Sequence, residues 1–264
     1  MIDYLSLNHN QWNQRTLAHL KSEFYDVKGW LAGKDSLNEP ELALLPNDLS
    51  GKKILHLQCH FGQDTLSLAR RGALVTGVDL STEAIKAANE LADKAGLEAR
   101  FINCDLYSLP DHLDETFDIV FTTYGTITWL PDINRWAGIV ARYLKPGGQF
   151  VYAEFHNMAY LWNEDRTAIK YPYFNPEPIV EEISGSYTDN SEGLFGTEVN
   201  WDHPISSVIT ALIEAGLTLR SFREYDYSPY KCFDGMVPTD REGHWHIQEM
   251  PGLIPLVYTL DCIG

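Results

Sequence analysis

The stretch Lys53 to Gly62, K-I-L-H-L-Q-C-H-F-G, decides how this chain folds. Ile54 to Leu57 is a short apolar run that stops at a tight turn. A helix-patterned segment follows, with Leu66, Leu68 and Ala69 as apolar positions and Gly72 as its stop. Strand, turn and helix in this order form a nucleotide-binding first unit. A second apolar run, Ala73 to Val78, ends in Asp79, where an acid at a strand tip can accept both hydroxyls of a ribose. The backbone N–H groups of the first turn, with a helix N-terminus behind them, suit an anionic group.

Outward from this unit the rhythm continues. Ser81 is a good N-cap with Glu83 in the first turn; Ile85, Ala88, Ala92 and Ala95 keep helical spacing up to Gly96. Ala99 to Asn103 reads as a third strand and Phe117 to Thr122 as a fourth, apolar throughout as a strand buried on both faces should be. Asp132 caps a helix with Ile133, Trp136, Ala137, Val140 and Leu144 on its face, and Gln149 to Phe155 is a fifth strand. This alternation predicts an α/β fold with a doubly wound, mostly parallel sheet. Pro204 opens a further helix, ending at Gly216; Leu217 to Tyr227 and Leu256 to Cys262 read as the last strands, with an irregular Ser228 to Pro255 between them.

Two regions stand outside the alternation. Residues 1–50 read as an N-terminal helical cap whose apolar face is Leu17, Leu20, Phe24 and Val27; Trp12, Asn13 and Tyr25 are candidate cleft residues, and a simple cover for the sheet is the competing role. Residues 51–264 are the main domain, and residues 157–201 are an insertion within it, rich in aromatics including Tyr160, Trp162, Tyr173 and Trp201, with a hairpin expected in Ser184 to Trp201. Such a segment is ordered and functional rather than disordered. It is read as a wall for a planar or cationic substrate, or equally as a satellite core or a homodimer contact.

Composition narrows the function. The 264 residues are 44% hydrophobic and 22% charged, as in a globular protein. No apolar run reaches membrane-spanning length, and Asp3, Asn8 and His9 interrupt any signal-peptide pattern, so no membrane partner and a cytoplasmic location are expected. A net charge of −17 without a Lys/Arg cluster disfavours nucleic acid. Cys59, Cys104, Cys232 and Cys262 form no C-x-x-C pair and read as free thiols. His244 and His246 lack a third ligand at a recognisable spacing, so no metal is expected.

These pieces resemble the class I S-adenosylmethionine-dependent methyltransferases, well over about residues 50–156 and more loosely over 200–263. The strings that carry the likeness are I-L-H-L-Q-C-H-F-G, V-T-G-V-D-L-S, N-C-D-L, F-D-I-V-F and Y-L-K-P-G-G-Q-F-V. The resemblance implies a seven-stranded sheet with an antiparallel last strand. It implies S-adenosylmethionine as cofactor, S-adenosylhomocysteine as product, and methyl transfer to an O, N or S atom of a small molecule. Cofactor contacts then fall to Gln58, Cys59, His60 and Gly62 in the first turn, to Asp79 and Leu80, to Cys104, Asp105 and Leu106, and to Thr122. Asp105 would face the adenine amino group. One departure is plain: the family carries an acid at the position of His56 and glycines at those of Gln58 and His60, and here only Gly62 survives.

Methyl transfer from a sulfonium is an in-line displacement, so alignment supplies much of the catalysis. Candidate reacting groups follow strands four and five: Thr123, Tyr124 and Trp129, then Glu154, His156 and Asn157. His156 is the candidate general base and Tyr124 the second catalytic candidate, with a packing role for His156 as the competing reading. Trp12, Tyr25, Trp129, Tyr160 and Tyr173 are candidate substrate or lid residues. The alternatives are a non-catalytic nucleoside- or partner-binding protein on this fold and, with G-x-G-x-x-G absent, an NAD-dependent oxidoreductase.

Overall fold

In the computed structural model, which describes residues 2–163, 165–189, 191–233 and 235–264, the quoted stretch becomes β1 (Lys53–Leu57) and the turn before α4 (Gln63–Arg70). β1 pairs in parallel with β2 (Leu74–Asp79) on one side and with β4 (Phe117–Thr123) on the other. β3 (Arg100–Asn103), β5 (Leu144–Phe155), β8 (Thr218–Tyr225) and β11 (Val257–Ile263) complete one seven-stranded sheet in the order β3-β2-β1-β4-β5-β11-β8. β11 runs antiparallel to both β5 and β8, and the other pairings are parallel. After β1 the chain builds outward to β3, then returns to place β4 on the opposite side. That reversal opens a crevice beyond the strand tips.

Each strand alternates between two cores, as the period of two requires. Leu55, Leu57, Val120, Phe150 and Leu260 face a layer built from Trp136 and Val140 of α6 (Ile133–Tyr143) and Val208 and Leu212 of α7 (Ile205–Glu214). Ile54, Phe121 and Val151 face the opposite layer, with Leu68 of α4 and Leu37, Leu45 and Leu49. The predicted caps form: the Ser81 hydroxyl accepts from the Ala84 N–H at the start of α5 (Thr82–Ala95), and Asp132 accepts from Asn134 and Arg135 before α6.

The N-terminal segment differs from the expected pattern. α1 (Tyr4–His19) ends before Leu20, and α2 (Val27–Leu31) and α3 (Glu39–Leu42) are separate short helices. Leu17, expected on the inward face, is 51% exposed. The residues that α1 buries are polar: Asn8, Gln11, Arg15, Thr16 and His19. The physical reason is its partner. α1 lies on a hairpin that offers it backbone groups and Glu198, and on a polar cavity, not on an apolar sheet. That hairpin is β6 (Ile179–Ser184) paired antiparallel with β7 (Phe195–Asn200), so its first arm precedes the expected one. The Asn8 amide donates to the Val199 carbonyl at 2.8 Å and accepts from its N–H at 2.9 Å, completing the edge of β7 as another strand would. Asn13 caps α5 rather than facing the cleft: its carbonyl oxygen accepts from the Ser81 hydroxyl and the Glu83 N–H. The region read as irregular contains β9 (Met236–Pro238) paired with β10 (Trp245–Ile247).

Candidate active site

The crevice beyond the strand tips is a cavity of about 860 Å³. Its floor is made by the C-terminal ends of β1, β2, β4 and β5 and the turn after β3, and α1 and the β6–β7 hairpin contribute residues to its wall. Gln58, Cys59, His60, Gly62, Asp79, Leu80, Cys104, Asp105 and Leu106 all line it, as do Tyr124, Trp12, Tyr25, Trp129 and Tyr160.

The first turn keeps the backbone shape for which glycine is suited, without the glycines. Gln58 has φ 56° and His60 φ 51°, both left-handed, a conformation that costs an L-residue about 1–2 kcal/mol. Side-chain contacts hold each of them there. Gln58 Nε2 donates to the Thr126 carbonyl at 2.8 Å, while its Oε1 is buried with no partner among the described residues. His60 Nε2 lies 3.0 Å from His19 Nδ1, and the His60 ring packs on Trp12, Tyr25 and Phe61. Burial, reinforced by the Arg15 charge, pushes His19 down to about 3. The same burial, with His19 and Arg15, holds His60 well below its ordinary value, so both rings are neutral at pH 7. Gln58→Gly and Gln58→Ala lose the same hydrogen bond, but only glycine relieves the backbone. The glycine variant is therefore expected to be more stable by about 1 kcal/mol. Urea melts check this, and equal stability would contradict a left-handed Gln58.

Asp79 latches that turn. Its Oδ2 accepts from the His60 N–H and its Oδ1 from the Ser81 N–H, both at 2.8 Å. A carboxylate oxygen has two acceptor positions, so each keeps one for a ligand. Burial lifts Asp79 to about 6 against these hydrogen bonds. Asp105 Oδ2 accepts from the Tyr107 N–H at 3.1 Å and caps the 3₁₀ turn Leu106–Asp111; burial raises its pKa. Thr122 is different: it is fully buried inside the sheet, and the neighbouring Thr123 lines the cavity instead. A one-residue step along a strand moves a side chain to the other face.

The β4 tip carries a strained residue and a buried acid. Tyr124 has φ 35°, and its hydroxyl donates to Glu41 Oε2 at 2.6 Å. Glu41 is fully buried and accepts on Oε1 from the Asn38 N–H at 2.6 Å. Burial raises Glu41 to about 8, opposed first by the Tyr124 hydroxyl. Glu154 gathers the N–H groups of Gly125, Thr126 and Phe155, and so shapes the β4 turn.

His156, the expected base, is placed elsewhere. Its Nε2 bonds Glu224 Oε1 at 3.0 Å and its Nδ1 accepts from the Met158 N–H at 3.1 Å. It caps the turn Asn157–Tyr160 and is absent from the cavity wall, so the strand-end packing role is the one the geometry carries. Tyr173 also stands off the wall, where its hydroxyl accepts from the Ile205 N–H at the start of α7. His244 stacks on Tyr227 and bonds Glu39; among the described residues no group of three or more His, Cys, Asp or Glu is arranged for a metal. Cavity residues such as Arg15, Asp64 and Tyr230 escaped the sequence reading. None belongs to a motif, and only the third dimension gathers them.

A family model described as a methyltransferase domain matches residues 54–148. These residues are a methyltransferase domain. A ubiquinone biosynthesis O-methyltransferase of Idiomarina loihiensis is 30% identical over 146 residues, 54% of this chain and 60% of that protein. A phthiotriol/phenolphthiotriol dimycocerosates methyltransferase of Mycobacterium tuberculosis is 31% identical over 149 residues, 55% of this chain and 54% of that protein. The chain thus spans little more than half the length of these relatives. A solved S-adenosylmethionine dependent methyltransferase from Mesorhizobium loti has the same fold, with a TM-score of 0.56 at 22% identity over 85% of this chain and 95% of that one.

The donor set of the methyltransferase domain fits S-adenosylmethionine. Asp79 and Asp105 offer acceptors at adjacent strand tips, and the orphaned Gln58 Oε1 is an acceptor suited to an ammonium. The acidic wall suits a cofactor whose sulfonium is positive.

Proposed function

We propose that this protein transfers a methyl group from S-adenosylmethionine to an O, N or S atom of a small molecule. The observation that carries the reading is Asp79, with open acceptor positions, facing one cavity with the left-handed first turn. When bound, the cofactor supplies a methyl group on a positively charged sulfur, already activated for displacement. Asp79 would hold the ribose hydroxyls, Asp105 the adenine amino group, and Gln58 Oε1 the methionine ammonium. α1 and the β6–β7 hairpin would exclude water as a cap, in keeping with their residues on the cavity wall. Tyr124 takes the proton-holding role first assigned to His156: it lines the cavity and its hydroxyl donates to Glu41. An acceptor that must lose a proton would pass it to the Tyr124 oxygen as Glu41 takes the phenolic one, a relay open only to the ionised Glu41 carboxylate and so strengthening as pH rises through about 8. A small molecule of the cytoplasm as acceptor, rather than nucleic acid, is supported by the net charge of −17; no helix among the described residues is long and apolar enough to cross a membrane.

Calorimetric titration tests the reading. Micromolar binding of S-adenosylmethionine and S-adenosylhomocysteine, worth about 8 kcal/mol, is the expected result. No heat from either would remove it.

A further inference from the structure

The cavity that takes in the first turn and Asp79 also takes in the tips of β4 and β5. Its wall is a continuous run of rings. Tyr25 meets Phe24 at 5.1 Å between centroids, Phe24 meets Tyr230 at 5.4 Å, Tyr230 meets Tyr124 at 5.3 Å and Tyr124 meets Phe155 at 5.4 Å. All five line the cavity. Aromatic faces carry negative potential and attract cations.

Charge on the wall has one sign. Among the described residues, ten Asp and Glu line the cavity against two Lys or Arg. Both basic side chains are already paired, Arg15 with Glu198 at 2.5 Å and Lys34 with Asp26 at 3.1 Å. Asp64, in the first turn of α4, is also on the wall, and its field reaches Tyr25, Tyr124 and Tyr230. Its hydrogen bonds come from the hydroxyls of Thr123, at 3.4 Å, and Ser36, not from a cation. Burial lifts Asp64 to about 6, which leaves it mostly ionised at pH 7.

Resting on the methyl-transfer reading, we infer that the acceptor is a small molecule carrying an organic amine, held as its ammonium ion between Asp64 and the Tyr25–Phe155 aromatic wall and methylated at a separate O or S atom, because the protonated nitrogen has no lone pair with which to attack. A carboxylate or phosphate acceptor meets no free Lys or Arg there among the described residues. A neutral one gains the rings but not Asp64. The ammonium ion uses both.

The test uses matched skeletons differing only in charge: tyramine, tyrosol and 4-hydroxyphenylacetate, then tryptamine, tryptophol and indole-3-acetate. Each is titrated calorimetrically into the full chain saturated with S-adenosylhomocysteine. The amine of each set is expected to bind at least tenfold tighter than its alcohol and carboxylate. Asp64→Asn is expected to level each set and to leave S-adenosylhomocysteine affinity within twofold. Binding that ignores charge, binding that favours the carboxylates, or no binding in either set overturns the inference. So does an Asp64→Asn variant that loses S-adenosylhomocysteine and keeps the amine preference, because Asp64 would then serve the cofactor's own ammonium. Failure of the methyl-transfer reading gives a separate signature: the wild-type chain ignores S-adenosylhomocysteine while the amines still bind it.

Discussion

Asp79→Ala is expected to weaken S-adenosylhomocysteine binding at least 100-fold. Two losses combine. A hydrogen bond to a charged acceptor contributes about 1.5–3 kcal/mol, and Asp79 offers one open position on each oxygen. The substitution also removes the acceptor for the His60 N–H at 2.8 Å, and with it the latch on a turn already holding two left-handed residues. The same group sets a pH dependence. Burial lifts Asp79 to about 6, and the ionised form is the one that accepts both hydroxyls. Affinity is therefore level above about pH 7 and is lost as pH falls through 6. For folding the sign is reversed: a carboxyl raised from 3.8 to about 6 costs stability above pH 6, and the cost disappears as pH falls below about 4. Calorimetry between pH 5 and 8, on wild type and Asp79→Ala, checks both arms. A variant that binds as wild type does would remove Asp79 from the cofactor site.

Glu198→Ala is expected to destabilise the protein by about 3 kcal/mol, the cost of leaving a buried charge without its partner. The Arg15 and Glu198 side chains are 8% and 10% exposed and 2.5 Å apart. Burial raises the Glu198 pKa in spite of Arg15, so the pair gives up solvation to exist. Arg15 also lies 5.3 Å from the Trp12 ring and 5.5 Å from that of Trp129. The damage should concentrate where the pair acts, in α1 and β7, seen as faster amide exchange there than in β1 or β4. The double variant Arg15→Met/Glu198→Leu should recover most of the loss, since apolar residues of similar volume replace a buried pair without an unpaired charge. Urea melts of the single and double variants measure the difference. A single-variant cost below 1 kcal/mol would mean that the pair does not fasten α1 to the hairpin.

Much of the framework was legible because it rests on local rules. β1, β2 and β4 are apolar runs buried on both faces, and α5 and α6 start at Ser81 and Asp132, whose side chains accept from the first-turn N–H groups. Asp79 was legible as a cleft residue because a strand tip in a doubly wound sheet points at the crevice, and Asp105 through the family resemblance. The replaced glycines stood as the plain departure from the family pattern. The chain instead holds Gln58 and His60 left-handed through Thr126 and His19, contacts made far away in sequence.

What the sequence by itself determined is the alternation of strands and helices and the acid Asp79 at a strand tip, since periodicity and capping depend on near neighbours; the seven-stranded count, the reversed last strand and Asp105 came through the family resemblance. The tertiary structure alone decided the rest of the site. α1 buries Asn8, Arg15 and His19 rather than its leucines because its partner is a polar cavity wall, and helical periodicity is blind to a partner's polarity. His156 turns away because Glu224 and Met158 engage both ring nitrogens. Tyr124 meets Glu41, 83 residues away in sequence, because α3 packs beside the β4 tip. Hydrogen bonds and ion pairs of that span follow from how elements pack, and no local pattern encodes them.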